Sequence, residues 1–247
     1  MSGPPDADHA PPRPWRNLYG RRHGKRLRER QAARLDGALH ALSPPGVAWA
    51  ENPGRRPIDL AALFPGKRAV WLEIGFGGGE HLVTQAAANP DLGLIGAEPF
   101  VNGVAKLLAA IDRAGVDNLA VHAGDARDLI DVLPEGAIDR VFLLYPDPWP
   151  KARHHKRRFV NPANLEALAR VMAPGALLRV ATDIEDYVRH TLEHLMRDPR
   201  FHWLAQRPAD WRTPWPDWPG TRYEAKALRA GRRPHYLSFR RTEHPVR

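Results

Sequence analysis

"AVWLEIGFGGGE", Ala69 to Glu80, decides the fold. Its first six residues are apolar except Glu73, which reads as a strand buried on both faces. Glycines follow at Gly75, Gly77, Gly78 and Gly79. Glycine permits tight turning and lets a ligand approach the backbone closely. "GEHLVTQAAAN", Gly79 to Asn89, then has helical periodicity. The dinucleotide fingerprint G-x-G-x-x-G would require a glycine at position 80, where the chain has Glu80. The stretch is therefore an acid-x-G-x-G-x-G turn between a strand and a helix.

Outward from this turn the same unit recurs. Strands are expected over 92–98, 118–124, 138–145 and 176–182, with helices over 101–114, 126–132, 162–172 and 184–197. "FHWLA" (201–205) and "HYLSFRR" (235–241) read as two closing strands. Seven strands alternating with helices imply an α/β fold, with a mostly parallel sheet and helices on both faces. Upstream, Leu27, Leu35, Leu39 and Leu42 share a helical spacing and predict a basic amphipathic helix over 25–42. Residues 1–16 are rich in proline and charge, the composition of disorder. The expected organisation is a basic, partly disordered arm over 1–35 and a single domain over 36–247.

In such sheets ligands bind beyond the carboxyl ends of the strands. Glu73, Glu98, Asp125 and Asp147 fall at those ends, separated by 25, 27 and 22 residues. Four carboxylates on one rim are costly unless a cation or hydrogen-bond donors satisfy them.

The charge pattern points to a second partner. The net charge is +9, with +6 over residues 1–34, +7 over 200–247 and −4 between. Within the acidic middle, Lys151–Arg158 packs five Lys/Arg and two His into eight residues. Basic ends and one basic strip suit a polyanion. The chain has no cysteine, which excludes disulfides, thiolate metal sites and thiol nucleophiles and suits a cytoplasmic setting. No apolar run approaches the roughly 18 residues that span a bilayer, and the first residues lack the apolar core of a secretory signal. No membrane and no metal are expected.

The acid-x-G-x-G-x-G turn, with Glu98 and Asp125 one unit apart, resembles the motifs of class I S-adenosylmethionine-dependent methyltransferases. "PDPWPKARHHKRRFVNP", Pro146 to Pro162, resembles the signature of the bacterial tRNA (guanine-N7-)-methyltransferases. "LYGRRHGKRLRERQ" (18–31), "TD" (182–183) and "TRYEAKA" (221–227) resemble further segments of that family. Pro150 and Ala152 stand where it usually carries polar or basic residues. The resemblance covers about residues 18 to 240 and implies a Rossmann-like class I fold, S-adenosyl-L-methionine as cofactor and tRNA as partner. It implies a cofactor site at Glu73, Gly75, Gly77, Gly79, Glu98, Asp125 and Asp147, with Glu98 toward the ribose and Asp125 toward the adenine. Asp147 is also the expected catalytic residue. Lys151, Arg153, Lys156, Arg157 and Arg158 are expected on phosphates. Asp183, Thr221, Arg222, Tyr223 and Glu224 are expected at the target nucleotide.

Other readings remain open at this point. Another base-directed RNA methyltransferase could use the same turn, and an RNA-binding protein could retain the fold without activity. "HTLEH" (190–194) matches the H-x-x-E-H zinc-peptidase pattern. On its helix, however, His190, Glu193 and His194 form the polar face of an ordinary amphipathic pattern. The oligomeric state is left open.

Overall fold

In the computed structural model, residues 16–246 are described. The expectation of disorder over 1–16 therefore lies, but for Arg16, outside the described residues. In chain order the elements are α1 (Glu29–Leu42), α2 (Leu60–Leu63), β1 (Ala69–Ile74), α3 (Glu80–Ala88), β2 (Leu92–Ala97), α4 (Val101–Ala114), β3 (Leu119–His122) and α5 (Ala126–Val132). Next come β4 (Ile138–Leu144), a 3₁₀ turn (Ala152–Arg157), α6 (Pro162–Val171), β5 (Met172–Thr182) and α7 (Glu185–Leu195). The chain closes with β6 (Phe201–Trp203), α8 (Ala209–Arg212), α9 (Arg222–Arg229) and β7 (His235–Arg241).

The seven strands form one sheet in the order β3-β2-β1-β4-β5-β7-β6. β1 to β5 pair in parallel, and β7 runs antiparallel to both β5 and β6. The chain order reverses between β1 and β4, which opens a crevice at the carboxyl ends of those strands. β1, β2 and the last four residues of β4 are near-continuous apolar runs and almost wholly buried, as expected of a sheet covered on both faces. One apolar layer gathers side chains of α5, α6 and α7, and the other those of α1, α3 and α4.

Several boundaries differ from expectation: α1 begins at Glu29 rather than 25, and β6 ends at Trp203 rather than 205. β5 begins at Met172 rather than 176, with a register shift opposite Ile138–Arg140. Pro174 and Gly175 (φ 86°) lie in this irregular part and conceal the strand pattern. The boundary expected at residue 35 falls inside α1, because Leu35, Ala38 and Leu39 pack together against the second apolar layer.

Beyond α3 the second face over β4, β5 and β7 carries no helix among the described residues. The loop 213–220 covers it. Trp215 is buried there and donates from Nε1 to Ser238 Oγ at 2.9 Å. Asp217 binds the guanidinium groups of Arg140 (2.9 Å) and Arg179 (2.6 and 2.8 Å). Arg140 lies over the Trp71 ring at 4.0 Å and Arg179 over Trp215 at 4.9 Å. Removing the carboxylate leaves two arginines on an apolar face without their anion. Hydrogen bonds to charged groups contribute about 1.5–3 kcal/mol each. Asp217→Ala is expected to destabilise the fold by about 2–3 kcal/mol, read from urea unfolding, with Asp217→Asn recovering part of the loss.

Candidate active site

At the crevice lies a cavity of about 430 Å³. Its floor is the glycine turn after β1, where Gly75, Gly77 and Gly79 all have positive φ (72°, 58° and 78°). At Gly77 a side chain would add steric conflict to this backbone strain, since a Cβ there would lie 3.1 Å from the Tyr223 ring. Glu98 holds the turn. Its Oε2 accepts from Gly77 N–H at 2.7 Å and its Oε1 from Phe100 N–H at 2.9 Å. A carboxylate offers about four acceptor positions, so lone pairs remain for a ligand. Burial, with Asp147 adding to it, raises the Glu98 carboxyl against the opposing pull of these two hydrogen bonds and Arg222.

Asp125 also lines the cavity and caps α5 through Arg127 N–H at 3.0 Å. Burial alone would raise its carboxyl. The Arg127 guanidinium, bonded to both oxygens, reverses this and holds it below the usual carboxylate value. Asp147 stands in the wall of the cavity, and its carboxylate has no hydrogen-bond or ion-pair partner among the described residues. It is exposed to the crevice, yet desolvation by its surroundings raises its carboxyl.

The turn that carries Asp147 is strained at both ends: Tyr145 has φ 48° and Trp149 φ 44°. Tyr145 N–H is fixed to Ala181 O at 2.7 Å. Arg158 fixes the other end. It is 1% exposed, donates from Nε to Pro148 O at 2.8 Å, pairs with Asp186 and lies 5.3 Å over the Tyr187 ring. The expectation of Arg158 on a phosphate is thereby corrected: its guanidinium is buried beneath the turn. Lys151, Arg153 and Lys156 are exposed along the 3₁₀ turn. Arg157 sits between Tyr19 (4.6 Å) and Trp149 (4.9 Å) at the cavity edge.

Three further expectations are corrected. Glu73 does not face the cavity. It is 3% exposed and its Oε2 accepts from His81 Nδ1 at 2.7 Å, because alternation along β1 turns it away from the side on which Ile74 lines the cavity. Glu224 is buried on the inner side of α9, accepting from Trp218 Nε1 at 2.9 Å and from the Tyr236 hydroxyl. Asp183 is paired with Arg232. Thr221 caps α9, its Oγ1 accepting from Glu224 N–H at 3.1 Å. Of the α9 segment, Tyr223 lines the cavity, and Arg222 lies beside it, donating to the Tyr223 hydroxyl at 3.0 Å.

A model of the family described as "Putative methyltransferase" matches residues 67–237. A tRNA (guanine-N(7)-)-methyltransferase of Roseobacter denitrificans is 67% identical over 227 residues, covering 92% of this chain and 97% of its own length. One of the same name from Ruegeria pomeroyi is 65% identical over 233 residues, covering 94% and 98%. This chain belongs to the tRNA (guanine-N(7)-)-methyltransferase family. The crystal structure of the 16S rRNA methyltransferase KamB superposes with a TM-score of 0.56 at 17% identity, covering 75% of this chain and 93% of that one. At that identity the likeness concerns the class I fold alone.

The family membership accounts for the cavity; some of its lining escaped the sequence reading. Asn17, Leu18, Tyr19 and Arg21 come from the arm. That arm is tied down by Asn102, which accepts from Gly24 N–H at 2.6 Å and donates to Lys25 O at 2.7 Å, and by Arg127, which donates to Asn17 O at 3.0 Å. The "VNG" at 101–103 held a signal, a glycine in the first turn of an amphipathic helix. The H-x-x-E-H residues lie elsewhere. His190 Nε2 donates to Val160 O at 2.7 Å and His194 Nδ1 to His190 O at 2.9 Å. Among the described residues no group of three His, Cys, Asp or Glu is placed to hold a metal ion.

Gly103 marks the tightest approach in the site: a Cβ there would lie 2.1 Å from the Gly77 carbonyl oxygen. Overpacking costs about 1–3 kcal/mol, and here only the backbone of the ligand-holding turn can yield. Gly103→Ala is expected to weaken binding of S-adenosyl-L-methionine by about tenfold or more, measured by calorimetry, while far-ultraviolet circular dichroism stays native.

Proposed function

We propose that this chain transfers a methyl group from S-adenosyl-L-methionine to N7 of a guanine in the variable loop of tRNA. The observation that carries the reading is the pairing of Glu98 and Asp147 on one cavity above the glycine turn. Both carboxyls are raised by desolvation, and the nearby Asp147 charge adds to the rise at Glu98. Two carboxylates on one cavity beside the glycine turn suit a cationic ligand, which would relieve their repulsion. The residues present thus fit the cofactor: the Gly75–Gly79 backbone, Glu98 and Asp125 would hold it, and Asp147 would face its charged end or the guanine. Bound there, S-adenosyl-L-methionine supplies an electrophilic methyl group on a sulfonium.

Guanine N7 has an in-plane lone pair and no proton, so no side chain need act as a strong base. The task left to the protein is alignment, which in favourable cases lowers a barrier by about 7–11 kcal/mol. The strained turn, clamped at Arg158 and Ala181, fixes Asp147 for that task. Its carboxylate favours the positive charge that the purine gains, more in the transition state than before it. The exposed Lys151, Arg153 and Lys156 and the basic arm suit the phosphates around the target. No helix among the described residues is long and apolar enough to cross a membrane. We place the activity in the cytoplasm, where tRNA is processed.

Incubating the protein with labelled cofactor and unmodified tRNA, then analysing nucleosides by mass spectrometry, is expected to yield N7-methylguanosine. Label on an exocyclic amine would favour another base-directed methyltransferase instead. Asp147→Ala is expected to lower kcat by about 10²–10³-fold, as for loss of one preorganised electrostatic group. The pH profile follows from the sign of the shift. A raised carboxyl is ionised only above its raised value, so activity falls as the pH drops through it. The acid limb of kcat/KM is expected above the ordinary aspartate range in the wild type and to move in Asp147→Asn, where the raised Glu98 carboxyl alone remains.

The basic strip makes a separate prediction. Each phosphate neutralised on duplex RNA steepens the dependence of log K on log salt by about 0.9. Lys156→Ala is expected to reduce the slope of tRNA binding by about one such unit, and an unchanged slope would place Lys156 off the RNA.

A further inference from the structure

Arg127 lines the cavity without belonging to the glycine turn, the motif acids or the basic strip. Asp125 Oδ1 accepts from its backbone N–H and its Nε, both at 3.0 Å. Asp125 Oδ2 accepts from Nε at 3.0 Å and from a terminal guanidinium nitrogen at 2.5 Å. A carboxylate has about four acceptor positions, so this one residue takes them all. An adenine amine at Asp125 would need one of them. A charge-assisted hydrogen bond is roughly twice as strong as a neutral one, so a neutral amine does not displace the guanidinium. Arg127 keeps its place, and Asp125 serves the cavity through it.

The rest of Arg127 goes to the arm. The same terminal nitrogen donates to Asn17 O at 3.0 Å. One residue earlier, both terminal nitrogens of Arg16 reach Asp131 of α5, at 2.6 and 2.9 Å, with Asp128 3.5 Å away. α5 thus grips two consecutive residues of the arm. The arm then passes the turn after β4. Tyr19 meets the Trp149 ring edge-on at 6.1 Å and the Arg157 guanidinium at 4.6 Å. Gly20 follows at a left-handed φ of 115°, where a Cβ would lie 3.2 Å from Asp147 Oδ2. Beyond it the arm reaches α4. Arg22 O accepts from Val101 N–H at 2.9 Å, and Asn102 binds Gly24 N–H and Lys25 O.

The arm is therefore fastened at three places: the helix after β3, the turn after β4 and the helix after β2. Between the fastenings Asn17, Leu18, Tyr19 and Arg21 line the cavity. Residues 16–25 belong to no helix or strand, so these ties alone hold them. Segments of that kind open locally at low cost. Asp131 and Asn102 hold the two ends, and neither lines the cavity.

We propose that residues 16–25 form a strap over the cofactor cavity, clasped by Arg127 as a positioning residue, so that bound S-adenosyl-L-methionine leaves only when the strap lets go. The proposal rests on the reading that this cavity holds the cofactor, and it names how Asp125 contributes. The ends of the strap then set how long the cofactor stays bound, although their side-chain anchors lie outside the cavity.

The test loads the protein with labelled S-adenosyl-L-methionine, chases with excess unlabelled cofactor and follows release in Arg127→Ala, Asp131→Ala and Asn102→Ala. Each variant is expected to release the label about 3- to 10-fold faster, the worth of one or two hydrogen bonds lost from the closed state. Association is expected to be no slower than in the wild type, which separates a loosened strap from a damaged site. A second readout follows the strap itself. Arg21, Arg22, Lys25 and Arg26 are exposed, and saturating cofactor is expected to slow tryptic cleavage after them in the wild type. In the three variants cleavage is expected to be faster and this protection smaller. Wild-type release in both Asp131→Ala and Asn102→Ala overturns the strap. So does slower association, or cleavage of the wild-type arm that the cofactor does not slow. The two end variants carry the test should Arg127→Ala not fold. If the wild type binds no S-adenosyl-L-methionine, the strap falls together with the reading beneath it; if it binds, these outcomes concern the strap alone.

Discussion

Two backbone N–H groups, of Gly77 and Phe100, close on opposite oxygens of Glu98, and the site is organised around that bridge. It joins the turn after β1 to the start of α4, beside the Gly75 N–H bond to Ala97 O. The bridge is not a free gain. Hydrogen bonds to a charged group contribute about 1.5–3 kcal/mol each, but taking a carboxylate out of water costs several. The raised Glu98 carboxyl shows that burial outweighs the bonds. The free protein therefore carries an unfavourable charge at the spot where a cationic ligand would be most useful. By mass action such a ligand stabilises the fold as it binds.

The acids expected on one rim turn out to have divided the work. Glu98 and Asp147 face the cavity, and their mutual repulsion is a property of the site. Glu73 and Glu224 are turned inward and fully engaged, one by His81 and the other by Trp218 and Tyr236. The basic strip divides in the same way. Lys151, Arg153 and Lys156 reach water, whereas Arg158 is used to hold the carbonyls of the strained turn. Positive φ at two non-glycine residues costs on the order of 1–3 kcal/mol each. A buried guanidinium with a paired carboxylate can hold such a turn; a solvated lysine could not.

How far the sequence reached follows from what its signals encode. β1, α4, α5 and β7 run as their periodicity predicts, because burial on one face or both imposes that periodicity directly. The start of β5 was hidden by Pro174 and Gly175, residues that speak for a turn in any local reading. The motif acids and the basic run were legible as residue types at strand ends. Which of them would be buried was not, because that depends on partners such as His81, Asp186 and Trp218, which only the fold brings against Glu73, Arg158 and Glu224. Arg127 was likewise silent in sequence: only the fold shows that it covers Asp125 and reaches back to Asn17.

The C-terminal segment completes a site built on β1, β2 and β4, since Tyr223 of α9 lines the cavity. The second face of the sheet beyond α3 is closed by a loop, with Trp215 and Trp218 in the place a helix would fill. Trp215, Trp218 and Tyr236 meet edge to face at centroid distances of 5.4 to 5.8 Å. Such contacts are directional as well as apolar, so they fix orientation where a sliding aliphatic contact would not. The same Trp218 that seals the core presents its N–H to Glu224, one residue from the ring that covers Gly77. Closing the core and setting α9 against the glycine turn are therefore a single packing event. A loop can serve here only because Asp217 fastens it to two strands at once through Arg140 and Arg179.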